Sequence, residues 1–275
     1  MEIIKKNSLN KISFKDVYTY RFFIYSLFLR NIATIYKQTV LGPFWQILIP
    51  IVQSGLFTLI FSKIAKLSTD SIPPFLFYSS GMMVWIFFQS TWLKTADTFV
   101  NFSNYIRNAY VPKITIIAAL ILENIFIFSI NFIIFLFIYT YYVFLAYDIK
   151  INFNLLFFLP FVILMLSCLA SSIGILIACL SAKFRDLKFV SQYGIQIVFY
   201  ATPIVYSLNN IPEKYKILFY LNPVTFYVDY FRCLFFKVNQ INLDFFYSSI
   251  IIMVILFLLS SKIYKNTIGN VVDYV

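Results

Sequence analysis

Long apolar runs separated by short polar stretches make up most of this chain, and six of them read as membrane spans: roughly residues 43–62, 72–93, 114–146, 154–181, 189–207 and 245–261. A helix needs about 17 to 25 largely apolar residues to cross a hydrocarbon core about 30 Å thick. The third run is too long for a perpendicular crossing, so it is expected to tilt or to continue past the membrane. Ahead of the first run, 17–36 is apolar in bulk but carries Arg21, Arg30 and Asn31. Arginines are costly at membrane depth, so this segment is predicted to be an amphipathic helix lying in the interface. Met1 to Lys15 holds Lys5, Lys6, Lys11 and Lys15 with no apolar core or small-residue cleavage site behind them, and no cleavable signal is expected.

Two polar-flanked stretches interrupt the pattern. Residues 97–113, DTFVNFSNYIRNAYVPK, end at a proline and mix asparagines, tyrosines and Arg107. They read as a short amphipathic helix parallel to the membrane, able to dock a cytoplasmic subunit, or as a plain solvated loop. Residues 222–232, NPVTFYVDYFR, are too few to cross a bilayer and too aromatic to float as an aqueous loop. With Asn222 as cap and Pro223 in the first turn, a helix here puts Asp229 and Arg232 on one face, three residues apart. They are expected to pair with each other or to hold the segment at the outer headgroup level, with Phe226, Tyr227, Tyr230 and Phe231 dipping into membrane or pathway.

Composition supports the membrane reading. Of 275 residues, 61% are hydrophobic and only 12% charged, against roughly 25% charged in ordinary soluble domains. Fifteen of the 22 Lys and Arg residues fall in the N-terminal arm and in 94–113, 182–188 and 262–275. With six spans these segments share one side, so both termini are expected in the cytoplasm. The formal charge of +11 is scattered among apolar spans and forms no stripe, which argues against a nucleic-acid partner. There is no histidine, which removes the commonest general base and metal ligand. No GxxxxGK[ST] or DDxxD pattern occurs, so neither a phosphate-cradling loop nor a paired-acid magnesium site is expected on this chain. Cys168 and Cys179 lie about 16 Å apart along one predicted helix, too far for a disulfide, and with Cys233 they read as core or lipid-facing residues.

Candidate chemistry lies inside the spans. Gln46 and Gln53 are seven apart on one predicted face, with Phe57 at the next turn; Phe189, Tyr193, Gln196 and Tyr200 repeat the habit in the fifth span. Amides exchange hydrogen bonds with hydroxyls and rings stack on the apolar faces of pyranoses, so these seven residues suit a sugar-conducting wall. Helix packing glued by glutamines is the alternative. Glu123 is the only ionisable group well inside a span; no basic partner is evident in neighbouring spans, and a structural role stands beside a pathway-lining one.

Four strings in order, YKQTVLGPFWQILIPI, YIRNAYVPKITII, FRDLKFV and TPIVYSLNNIPEKYKILFYLNPVTFYVDYFR, resemble the permease subunit of polysaccharide-exporting ABC transporters, the Wzm-like group of ABC type-2 transporters. The resemblance covers nearly the whole chain. It implies an all-α integral membrane fold: six transmembrane helices after an N-terminal interfacial helix, with short re-entrant gate helices between the fifth and sixth spans, at about 212–237. It implies a homodimer with two copies of a separate nucleotide-binding subunit that holds ATP and magnesium, leaving this chain without a cofactor. The cargo would be a lipid-linked polysaccharide of O-antigen, capsule or teichoic-acid type, crossing the bacterial cytoplasmic membrane among membrane lipids. Coupling to the ATPase would fall to the interfacial helix and to 97–113, with Asn104, Tyr105, Arg107 and Lys113. The gate would be built on Asn222, Pro223, Phe226, Tyr227, Asp229, Tyr230 and Arg232. A permease for lipids or small molecules is the nearest rival. An integral-membrane glycan-modifying enzyme would need an acid–base pair that Asp229 with Glu213 supplies poorly.

Overall fold

The computed structural model describes residues 14–37, 42, 44–102, 112–145, 151–184, 186–236 and 242–267, and they are helical almost throughout. Two helices, α1 (Phe14–Thr19) and α2 (Arg21–Lys37), precede α3 (Phe44–Phe57), which continues through a π-helical stretch, Thr58–Ile64. Then come α4 (Pro74–Ala96), the single turn α5 (Thr98–Asn101), α6 (Ile114–Phe144), α7 (Phe153–Ser181) and α8 (Leu187–Ala201). Two short helices, α9 (Glu213–Tyr220) and α10 (Val224–Phe236), lead into α11 (Leu243–Thr267).

Helix α4 is the post around which the others stand. Pro73 precedes it and Pro74 occupies its first turn, where a missing N–H leaves no bond unmade. It packs on α3, α6, α7, α8 and α10, and 15 of its 23 residues are buried. Its polar residues are absorbed locally: Ser80, Thr91 and Thr95 donate to the carbonyls of Phe77, Phe87 and Thr91, so buried hydroxyls stay satisfied in apolar surroundings. The α4–α7 contact is tight at Gly174, where an added Cβ would lie 2.6 Å from Thr95 Cβ and 2.7 Å from the Trp92 carbonyl oxygen. Only a residue without a side chain lets the two backbones meet there.

Among the described residues, four helical segments are both long and apolar enough to cross a membrane: Phe44–Ile64, Ile114–Phe144, Phe153–Ser181 and Leu243–Thr267. Each agrees with an expected run to within a few residues at most boundaries. The other two expected spans differ. Helix α4 has the length but carries six hydroxyls, the Gln89 amide and Lys94. Helix α8 stops at Ala201, six residues before the expected end, because Thr202 precedes Pro203 and takes the extended conformation that a following proline enforces (ψ 138°). At 15 residues, about 22 Å, it is shorter than the hydrocarbon core.

Helix α2 lies along α6, at the end of the bundle where α7 and α11 finish. A separate apolar cluster forms there, with Ile24 and Leu27 from α2 against Ile116, Leu120, Ala178 and Tyr264. Tyr18, Phe22 and Tyr25 stay exposed, with Arg21 over the rings of Tyr18 and Phe22. Cation and rings stand side by side on this exposed face. At the opposite end sits α10. All 13 of its residues are buried. Tyr139 Oη donates to the Phe235 carbonyl (3.1 Å), the Asn152 N–H to the Leu234 carbonyl (2.7 Å) and Tyr230 Oη to the Leu155 carbonyl, which fix it against the end of α6 and the start of α7.

Candidate functional site

Helices α3, α4 and α8 leave between them a cavity of about 440 Å³, walled by Gln53, Phe57, Trp85, Gln89, Gln196 and Phe199 among others. The rings stand together, with Phe199 5.9 Å from Phe57 and 5.2 Å from Trp85 between centroids. Three amides share the space, and Gln53 Oε1 is buried without a hydrogen-bond partner. With three amide side chains in its wall, a cavity of this size is a place for water or a hydroxylated ligand.

Of the seven residues expected to line a sugar path, Gln53, Phe57 and Gln196 meet in this cavity. Gln46, one face but two turns away from Gln53, opens into a smaller cavity of about 140 Å³ between α3, α4 and α6, with Ser90, Asn124 and Asn131. Phe189, Tyr193 and Tyr200 point away from both and are 62%, 66% and 73% exposed. Helix α4 contributes Trp85 and Gln89 to the larger cavity. Trp85 and Gln89 are four apart, the same ring-and-amide spacing that drew attention to the first and fifth spans, and this signal was open to the sequence.

Glu123 has the basic partner that was not evident in the sequence. Lys94 Nζ, one residue beyond the expected end of the second span, forms an ion pair with Glu123 Oε1. Asn31 Nδ2 donates to Oε2 at 3.0 Å, so one carboxylate joins α2, α4 and α6. Replacing it with an amide leaves the Lys94 ammonium, itself two-thirds buried, without its counter-charge. Glu123→Gln is expected to destabilise the fold by about 2 kcal/mol, between the buried and surface limits for ion pairs. Melting of the detergent-purified chain checks this, and an unchanged midpoint would show that the contact is incidental.

The charged pair of α10 is arranged otherwise than expected. Asn222 does cap the helix, its Oδ1 accepting from the Val224 N–H at 3.0 Å, while Nδ2 donates to Ala201 O and Thr202 Oγ1 at the end of α8. Asp229 and Arg232 are only 8% and 7% exposed, and no ion pair joins them. Arg232 instead donates from Nη1 to the Pro203 carbonyl (2.6 Å) and from Nη2 to the Ile204 carbonyl (2.8 Å), with its guanidinium 3.6 Å above the Phe77 ring. The turn that follows α8 leaves the buried Pro203 and Ile204 carbonyls in need of donors, and the fork of an arginine reaches both at once. Phe226, Tyr227 and Tyr230 are buried in protein rather than presented at a surface.

The ABC-2 type transporter family matches this chain over residues 23–236. The chain belongs to that family. The match bears out the resemblance carried by the four sequence strings, and it makes this protein the membrane subunit of a transporter rather than an enzyme, with an ABC ATPase subunit implied as its partner. The O-antigen export system permease protein RfbA of Klebsiella pneumoniae is 24% identical over 195 residues, 71% of this chain and 73% of that protein. A second Klebsiella pneumoniae RfbA is 22% identical over 206 residues, 75% and 77% of the two chains. RfbA of Myxococcus xanthus is 21% identical over 225 residues, 81% and 84%.

For an ABC-2 permease the end of the bundle at α1 and α2 is of interest for coupling. Asn104, Tyr105 and Arg107 lie outside the described residues. Lys113 immediately precedes α6, half-buried. Nearby, Lys188 Nζ meets Asp97 Oδ1 at 3.2 Å, tying the start of α8 to the end of α4. Trp92 Nε1 also donates to Ser191 Oγ at 2.9 Å, a second tie between α4 and α8.

Proposed function

We propose that this chain is the channel-forming permease subunit of an ATP-driven exporter, moving a lipid-linked polysaccharide across the bacterial cytoplasmic membrane. The observation that carries the reading is the cavity between α3, α4 and α8, where three amides and three aromatic rings supply the two kinds of contact a pyranose accepts. The names of the RfbA relatives point to the same cargo class. Many weak contacts suit conduction, because tight binding at one place stalls transport.

A single copy is incomplete. Trp45, Ile49, Val52 and Leu56 on α3, and Val190, Tyr193, Ile197 and Tyr200 on α8, are all exposed beside the cavity. In the homodimer a second copy covers these faces and brings Phe189, Tyr193 and Tyr200 to a shared seam, so that they join the path from the opposite wall. With α4 and α8 counted as crossings, six spans put both termini in the cytoplasm by the distribution of Lys and Arg. ATP and magnesium belong to two copies of a separate subunit docking at 97–113 through Asn104, Tyr105, Arg107 and Lys113. Helices α9 and α10 then stand at the exit as the gate.

Replacing Gln53 and Gln196 together by Leu is expected to lower surface glycan several-fold while the chain still inserts and co-purifies with the ATPase. Quantifying surface polysaccharide beside chain abundance tests it. Full glycan with normal abundance would remove the cavity from the pathway and favour a lipid or small-molecule cargo.

A further inference from the structure

A second polar space opens at the other end of the molecule, a cavity of about 270 Å³ between α9, α10 and the start of α11. Its size is at the lower end of small-molecule sites. Asp229 lines it, more than nine-tenths buried, and its carboxyl accepts no hydrogen bond among the described residues. No ion pair joins it to the neighbouring cation: Arg232 gives Nη1 and Nη2 to the Pro203 and Ile204 carbonyls and stands over the Phe77 ring, while its buried Nε has no partner. The other nearby carboxylate, Asp70, is held by the Ser207 hydroxyl and the Asn209 amide. Burial pushes the Asp229 carboxyl up to about 6, with Arg232 pulling it back and Asp70 adding to the rise. A carboxyl raised on folding takes stability away as pH climbs from about 4 through 6, so at neutral pH the fold carries Asp229 at a loss. A buried acceptor held at a loss and left unsatisfied calls for a donor from outside the chain.

The rest of the wall says which donor. Asn242 Oδ1 is taken by the Asp244 N–H, leaving its Nδ2 hydrogens without a partner among the described residues. Lys216 Nζ contacts Glu213 and has further hydrogens to give. Tyr220 and Phe245, stacked at 4.5 Å and 26°, supply an apolar surface. A small cation is repelled by Lys216 and Arg232, and among the described residues no three His, Cys, Asp or Glu side chains come together to hold a metal. An anion is repelled by Asp229 and Glu213. A neutral ring that both donates and accepts hydrogen bonds and has an apolar face satisfies every group.

We propose that this cavity is a glycan subsite, taking a neutral hydroxylated sugar ring with Asp229 as the acceptor that fixes its hydroxyls and Asn242 and Lys216 as donors. The ring identity of the ligand rests on the export function proposed above. Placed between α9 and α10, the subsite gives the growing polymer a foothold beside the gate, so that occupancy and the position of α9 are linked.

The test uses the purified permease–ATPase complex in detergent, with lipid-free oligosaccharides cut from the strain's own surface glycan as probe, read by saturation-transfer NMR and by melting. Wild type is expected to bind in the millimolar range. Asp229→Asn should bind about tenfold more weakly while melting higher than wild type at pH 7.5, a combination that a purely structural role does not produce. Lys216→Ala, on an exposed helix that tolerates the change, should weaken binding several-fold. Equal binding by wild type and both variants overturns the subsite, as does no binding by wild type. Tighter binding of putrescine than of sugar overturns it in favour of a cation site. If deleting the gene leaves surface glycan intact, the export reading fails and the subsite with it; if glycan is lost but the probe does not bind, only the subsite fails.

Discussion

Replacing Arg232 by Met is expected to be among the most damaging single changes in this permease, lowering stability by about 3 to 5 kcal/mol. Methionine fills much of the space but leaves the Pro203 and Ile204 carbonyls, at the break after α8, without donors in a dry interior. It also removes the cation from above Phe77. Hydrogen bonds to charged groups contribute roughly 1.5–3 kcal/mol each, and orphaned buried carbonyls carry their desolvation in full. Gly81 sharpens the demand, because its missing side chain is what makes room for Arg232 Nη2, 3.3 Å from where a Cβ would stand. In a thermal melt the midpoint should fall by roughly 10 °C. Arg232→Lys keeps the charge but not the fork and should fall between the two. If Lys restores the wild-type midpoint, charge alone matters and the two-carbonyl account fails.

Gly174→Val is expected to follow closely. Its Cβ would fall inside contact distance of Thr95 Cβ, the Trp92 carbonyl oxygen and the Ala96 nitrogen. Two of these are backbone atoms of a central helix, which no rotamer change can move aside, so α4 and α7 must separate. Overpacking of this kind costs typically 1–3 kcal/mol, and here the rigid neighbours put it at about 3 or beyond. Helix α4 also ends at Asp97, which pairs with Lys188 of α8, so a displaced α4 disturbs that contact and export should fall with stability. Gly55→Ala is the control, since nothing lies within 4 Å of its added Cβ in the chain itself. Accumulation of Gly174→Val in the membrane at wild-type level, with an unshifted melt, would mean the helices have slack that the geometry denies.

The helix inventory was largely legible. Apolar runs bounded by prolines and polar clusters marked α3, α4, α6, α7 and α11 to within a few residues at most ends, and the Asn222–Pro223 pair announced the start of α10. Helix α8 ends at Thr202–Pro203, short of the span drawn on hydropathy, because the proline holds Thr202 extended. The site was legible only in part. Gln53, Phe57 and Gln196 share one cavity as their chemistry suggested, while Gln46, on the same predicted face, looks into another. Tyr193 and Tyr200 show identical spacing and identical chemistry yet turn outward.

The reason is physical. In water, apolar residues face inward and polar ones outward, so periodicity reports facing. In a membrane the lipid-facing side and the packed core are equally apolar, and the pattern loses that information. Sequence alone therefore determined that this chain crosses a membrane in helices and where most of them begin and end. Tertiary structure decided that α4 stands at the centre, that Glu123 is met by Lys94 and Asn31, and that Arg232 serves the broken end of α8 while Asp229 is left facing a cavity. Those contacts join residues from 28 to 92 positions apart, and only packing, not the local pattern, brings them within reach.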